Sequence, residues 1–107
     1  MLAYFSMPFQ RAGSLRSLPS GSVMEFSADG NPIAVCNVAG EVHAVEGTCP
    51  HRGGPLAHGA LHDNMLVCPW HAWEFDCTTG ENDFNAVICV RKYAVKIEGD
   101  EILIDIP

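Results

Sequence analysis

Two short stretches of this chain could do chemistry. One reads Cys49-Pro50-His51-Arg52-Gly53-Gly54-Pro55, the other Cys68-Pro69-Trp70-His71-Ala72-Trp73. Each offers one thiol and one imidazole, and both groups are good ligands for borderline-soft metals. A zinc finger groups its ligands by type, C-x₂₋₄-C and then H-x₃₋₅-H. Here each stretch mixes them, as C-x-H and then C-x-x-H, with sixteen residues between His51 and Cys68. Mixed loops suit two metals held side by side, each loop giving its Cys to one ion and its His to the other. A single tetrahedral Cys₂His₂ zinc ion is the alternative that the same four residues allow.

The motifs, their order and their spacing resemble those of the Rieske family. That resemblance implies one [2Fe–2S] cluster, with Cys49 and Cys68 on one iron and His51 and His71 on the other. It also implies where an electron goes. The iron between two thiolates and two sulfides is already rich in negative charge and favours its ferric state, so the His-bound iron is the acceptor. With fewer thiolates, the reduction potential lies above that of an all-Cys plant-type centre.

Three departures from the respiratory-chain branch of that family narrow the resemblance. In that branch a disulfide ties the two ligand loops together, and the matching positions here are Gly54 and Trp70. That branch also places a hydroxyl residue and a tyrosine after the second His ligand, both donating hydrogen bonds toward the cluster. This chain has Trp73 and Phe75 there. Cys68-Pro69-Trp70-His71-Ala72-Trp73-Glu74-Phe75-Asp76 is similar instead to the Rieske ferredoxins and oxygenase Rieske domains of bacterial aromatic-ring-hydroxylating dioxygenase systems. The function implied is that of an electron carrier without catalytic residues of its own. It would take single electrons from an NAD(P)H-dependent flavoprotein reductase and pass them to a terminal oxygenase. Two other readings fit the same residues: the small accessory subunit of an assimilatory nitrite reductase, and a zinc-stabilised interaction module.

Composition agrees with a carrier. At 107 residues the chain is long enough for one domain with a real core. Thirteen acidic residues against six basic ones give a net charge of −7, which disfavours nucleic acid and anionic membrane and favours a partner with a basic face. With Cys49 and Cys68 on a metal, an odd three cysteines remain, Cys36, Cys77 and Cys89. They are expected as reduced thiols in a cytoplasmic protein, with Cys77 the one near the second ligand loop. The apolar start, Met1 to Phe9, is short, is interrupted by Pro8 and has Arg11 and Arg16 after it rather than before it. That is the wrong polarity for a secretory signal and too short for a membrane span.

The elements that must position the ligands read as strands. Residues 2 to 9 are expected as a first strand, and Arg11 to Gly21 as a connection with a single helical turn. Val23 to Phe26, Ile33 to Val38 and Glu41 to Val45 form a meander turned at Asp29-Gly30 and Ala39-Gly40. Apolar residues occur at both parities in the last two, so both faces should be covered. Asp63-Asn64 marks a tight turn between Ala60-Leu61 and Met65-Val67, and Trp73 to Cys77 is another short strand. Residues 81 to 91 read as a long loop. Tyr93 to Glu98 then pairs with Glu101 to Ile106 across Gly99-Asp100, and the alternation of Ile102, Ile104 and Ile106 marks a half-buried strand. The expected fold is an all-β, Rieske-like antiparallel sandwich or barrel. It forms a single domain over residues 1–107: a base of residues 1–45 and 82–107, with a cluster-binding subdomain, residues 46–81, inserted into it. His58, His62 and Asp63 could imitate the facial triad of a mononuclear iron site but read as loop and turn residues. His43 reads as a surface or packed side chain. Trp70 and Trp73 are expected to shield the cluster, with Trp70 also at a docking surface.

Overall fold

The computed structural model describes residues 9–70 and 72–106. Ten strands lie within them: β1 (Phe9–Ser14), β2 (Val23–Ala28), β3 (Asn31–Val38), β4 (Glu41–Glu46), β5 (Ala60–His62), β6 (Met65–Val67), β7 (Glu74–Asp76), β8 (Lys92–Tyr93), β9 (Val95–Glu98) and β10 (Glu101–Asp105). They make three antiparallel sheets, ordered β1-β10-β9, β2-β3-β4-β8 and β5-β6-β7. Among the described residues no helix is long and apolar enough to cross a membrane.

The four-stranded sheet is the middle layer, and the burial pattern of β3 shows why. Ile33 and Val35 face one way and pack with Ile102, Ile104 and Leu18. Ala34 and Cys36 face the other way and pack with Leu56, Leu66, Phe75 and Cys77. Successive side chains on a strand point to opposite faces, so a strand buried on both faces must be apolar at both parities. The five residues Ile33 to Asn37 are all buried. The strand β4 repeats the division, with Ala44 in the first core and Val45 in the second. One core therefore joins the middle sheet to the β1-β10-β9 sheet. The other joins it to the small β5-β6-β7 sheet that flanks the ligand loops.

Turn chemistry sets the registers. Asp29 and Gly30 both take positive φ, 51° and 82°, as do Ala39 and Gly40 at 52° and 95°. Two-residue turns of that hand match the twist of the strands they join, and β2 and β3 pair from Val23↔Cys36 to Ala28↔Asn31 without a slip.

Most strands match expectation to within two residues at each end, and two stretches differ by more. The segment after Phe9 is not a connection: β1 runs to Ser14 and pairs with β10, with a bulge between Arg11 and Gly13. The single helical turn follows it, at Leu15–Ser17. The remainder of the strand expected at residues 2 to 9, up to Pro8, lies outside the described residues. Tyr93 does not belong to the last hairpin. Lys92 and Tyr93 pair with Val45 and Ala44 of β4, and the chain crosses to the other sheet at Ala94 before β9 begins. Alternation in sequence cannot reveal that switch, because one extended run serves two sheets. The hairpin that remains pairs Glu101↔Glu98 through Ile104↔Val95, with Ile102 and Ile104 fully buried.

Candidate metal centre

The two ligand loops share one backbone design. In the first, the Cys49 N–H donates to the Gly54 carbonyl at 2.9 Å and the Gly53 N–H donates to the Cys49 carbonyl at 2.8 Å. In the second, the Cys68 N–H donates to the Trp73 carbonyl at 2.7 Å and the Ala72 N–H donates to the Cys68 carbonyl at 2.9 Å. Each loop thus closes on its own cysteine four and five residues later. The residue that closes it takes a left-handed conformation, Gly53 at φ 80° and Ala72 at φ 59°. Glycine adopts that conformation at no steric cost, whereas alanine does so at a penalty.

The loops meet through their cysteines. Cys49 and Cys68 are both buried, and the Cys68 side chain is close enough to act on the Cys49 thiol. Burial raises the Cys49 thiol above its ordinary value; the backbone N–H of His51, and more weakly that of Arg52, pull it down, while Cys68 pushes it up. Backbone N–H groups aimed at a sulfur are what a thiolate bound to metal requires, since they stabilise its negative charge. A cation that displaces the two protons would turn an unfavourable pair of buried thiols into a favourable pair of ligands.

Gly54 explains how the loops come so close. A Cβ on Gly54 would lie 2.7 Å from the Cys68 sulfur and 3.1 Å from the Trp70 ring. Gly54 and Trp70 therefore face each other across the loops. Here a glycine fits under an indole, and contact replaces a covalent tie.

His51 lies with its ring stacked on Trp73, centroids 4.1 Å apart and planes within 1°. Its Nδ1 atom is buried. His71 lies outside the described residues. The donor set of the described loops, two buried thiols and a buried imidazole nitrogen, fits a cluster of iron and sulfide.

Other candidates from the sequence are placed elsewhere. His58 pairs with Glu25 at 3.3 Å, His62 is exposed opposite Met65 on the edge of β5, and Asp63 is a turn residue at φ 55°. His43 donates from Nε2 to the Glu41 carboxylate, 2.9 Å away, and Lys92 lies 3.4 Å from its other nitrogen.

Trp73 does more than shield. Besides stacking on His51 it receives Phe84 edge-on at 5.0 Å. Phe84 belongs to the stretch 81–91, expected from its sequence to be a long loop. Asn82, buried, fixes that loop: its amide donates to the Glu74 carbonyl at 3.1 Å, and its oxygen accepts from the N–H groups of Phe84 and Asn85 at 3.1 Å each. An Asn whose side chain accepts from the backbone two and three residues on is a turn signal. Asn82-Asp83-Phe84-Asn85 carried that signal in the sequence. Trp70 at 57% exposure, Phe84 at 63% and Val87 at 87% are exposed apolar side chains, and Phe84 lies against Trp73 beside the second loop.

The three-sheet fold and the paired Cys-Pro loops define an iron–sulfur protein of the Rieske type. The chain belongs to the Rieske [2Fe-2S] domain family, whose pattern it matches over residues 9–94, and its cofactor is one [2Fe–2S] cluster. It is 35% identical over 101 residues to the ferredoxin component of biphenyl 2,3-dioxygenase from Rhodococcus jostii (strain RHA1), covering 94% of each chain. It is 31% identical to the ferredoxin component of the naphthalene 1,2-dioxygenase system of Pseudomonas aeruginosa, over 89% of this chain and 92% of that one. Among solved structures, the ferredoxin of carbazole 1,9a-dioxygenase from Nocardioides aromaticivorans IC177 superposes with a TM-score of 0.85 at 30% identity, covering 92% of this chain and 98% of the other.

Proposed function

We propose that this protein is the Rieske ferredoxin of a multicomponent oxygenase system. It accepts single electrons from an NAD(P)H-dependent flavoprotein reductase and delivers them to a terminal oxygenase. The observation that carries this reading is the matched pair of loops, each closing by the same two backbone bonds on its own buried cysteine. Its relatives are ferredoxin components that span nearly the same length, which supports a carrier over a catalytic subunit. We assign Cys49 and Cys68 to one iron, and His51 (through Nδ1) and His71 to the other. When bound, the cluster supplies a one-electron couple.

The chain's own residues do the rest. Gly53, Gly54 and Ala72 let the loops close, and the N–H groups of His51 and Arg52 hold charge at Cys49. Trp73 keeps the His51 ring flat against it, so that the imidazole cannot swing. Trp70, Phe84 and Val87 offer a weakly hydrated surface suited to a small, short-lived interface, below about 1,200 Å². The net charge of −7 speeds encounter with a basic reductase face and makes that encounter sensitive to salt. The subdomain of residues 46–81 is the part that holds the cluster, on the base of residues 1–45 and 82–107, and the cytoplasm is where a reductase fed by NAD(P)H would meet it.

Metal and sulfide analysis tests the cofactor assignment. About two irons and two acid-labile sulfides per chain are expected, lost in Cys49→Ser and in His71→Ala; one zinc and no sulfide would refute it. NADH-driven reduction by a co-encoded flavoprotein reductase, followed by reoxidation with a terminal oxygenase, tests the carrier reading. A protein that stays oxidised with every co-encoded reductase would overturn it.

A further inference from the structure

Two cysteines that the cluster does not use meet in the core. Cys36 lies on β3, between Val23 of β2 and His43 of β4. Cys77 follows β7, and its N–H donates to the Asn64 carbonyl at 2.8 Å. They are 0% and 1% exposed, and their sulfurs are 3.0 Å apart. That is about 1 Å beyond the roughly 2.05 Å of a disulfide bond. Neither residue is a neighbour of the other in sequence: 41 positions separate them. The fifth cysteine, Cys89, is exposed and sits on the loop edge opposite Glu81.

We propose that Cys36 and Cys77 are a modification site, a dithiol that closes to a disulfide on exposure to peroxide and so ties the middle sheet to the sheet flanking the ligand loops. The step balances with peroxide as the oxidant. One thiolate attacks the peroxide oxygen, giving a sulfenic acid and one water, and the second thiol displaces the sulfenic oxygen as another water, forming the S–S bond. Two thiols lose two electrons and two protons, and one peroxide becomes two waters. A dithiol reductant reverses it by exchange.

Proximity favours this pair, and its surroundings set the pace. The contact with Cys77 comes first, and burial second, in holding the Cys36 thiol far above its ordinary range. Few thiolates are present at neutral pH, so the bridge forms slowly, through brief openings of the core. Cys89 is attacked earlier but has no intramolecular partner among the described cysteines. Cys49 and Cys68 are assigned to the metal in the proposed function, which leaves Cys36 and Cys77, 3.0 Å apart, as the pair able to close.

The test uses holoprotein carrying Cys89→Ser, treated with hydrogen peroxide while the visible absorption of the cluster is followed. The protein is then unfolded in an alkylating agent and digested without reductant. The expected result is a mass loss of about 2 Da and a single cross-linked peptide pair containing Cys36 and Cys77, abolished by dithiothreitol and absent in Cys36→Ala. The oxidised holoprotein should also melt several degrees higher than the reduced one, since the bridge closes a long loop. The proposal is overturned if both cysteines are still alkylated after prolonged oxidation, or are converted to sulfinic acids without a linked peptide. It is equally overturned if the link is found between Cys49 and Cys68 with bleaching of the cluster. An unchanged melting midpoint in cross-linked protein would overturn the stapling.

Discussion

Gly54→Ala should empty the centre although it adds one methyl group. The new Cβ would lie 2.7 Å from the Cys68 sulfur, and ordinary contact begins at 3.4 Å, so sulfur and methyl must part by about 0.7 Å. The Trp70 ring, with two carbons 3.1 and 3.2 Å away, blocks the way out on that side. Metal–ligand distances tolerate only about ±0.2 Å, so a displacement more than three times larger cannot be absorbed at the metal. Overpacking of this kind costs about 1–3 kcal/mol, which in a domain of this size lowers the melting midpoint by roughly 4–8 °C for each kcal/mol. Gly53→Ala is the control. No atom lies within 4 Å of its Cβ position, and the cost is that of a left-handed alanine at φ 80°, of order 1–3 kcal/mol, without any clash against the second loop. The assay is iron and acid-labile sulfide per chain, with visible absorption and thermal melting on the same samples. Gly54→Ala should retain well under half of the wild-type iron, and Gly53→Ala nearly all of it. A Gly54→Ala protein with full iron, full sulfide and an unchanged spectrum would refute the reasoning that Gly54 sets the spacing of the loops.

Other expectations follow from single contacts. Trp70→Asp should weaken both reductase and oxygenase steps in steady-state turnover while leaving the iron content intact, because Trp70 is exposed on the second loop; unchanged rates would remove it from the docking surface. The potential should lie near the low end of the Rieske range of roughly −150 to +300 mV, because Phe75 offers no hydrogen bond toward the centre, and Phe75→Tyr should raise it. Voltammetry giving a wild-type value well above zero would contradict this. Asn82→Ala should cost about 2 kcal/mol, the net worth of the buried bonds it makes, and urea unfolding measures it. Asp76 tests pH dependence. Burial raises its carboxyl, but bonds from the Thr78 hydroxyl and N–H, from Asn64 and from the Thr79 N–H outweigh that and hold it below its ordinary value of 3.8. A carboxyl depressed in the folded state adds stability above its unfolded value and loses it as pH falls through the folded one. Asp76→Asn should therefore be less stable at neutral pH and lose less on acidification; parallel acid profiles would exclude a role for Asp76.

The candidate site was easier to read in the sequence than the sheet order, and the reason is physical. The expected ligands Cys49, His51 and Cys68 stand out by type and spacing, which are local, and so do the turns at Asp29-Gly30, Ala39-Gly40 and Asp63-Asn64. Sheet membership is not local. Tyr93 and Val95 belong to one extended run, yet pair with β4 and β10 respectively, a choice made by packing on partners that are distant in sequence. The stretch 81–91 was opaque for a related reason. Phe84 is exposed and apolar, which in isolation means little; it acquires a role only because Asn82 turns the chain so that its ring meets Trp73. Cys36 and Cys77 show the same limit, since nothing in the order of residues says that they touch.

The two loops carry the strongest link between sequence and function. C-x-H and C-x-x-H differ in length between ligands, yet both loops close by the same pair of hydrogen bonds onto their cysteines. The two loops have the same length, so the motifs differ only in which place after the cysteine and proline carries the histidine. His51 takes the second place in the first loop; in the second loop Trp70 takes it and is 57% exposed. The shift that distinguishes the two motifs thus also puts an exposed indole on the second loop. The closing residue is glycine in one loop and alanine in the other, both left-handed. Only the alanine is strained, at a cost of order 1–3 kcal/mol. That strain sits directly after His71, where metal binding can offset it. A cluster bound there would do more than occupy a preformed cavity: it would help to hold the second loop in a shape that the chain alone adopts at a penalty.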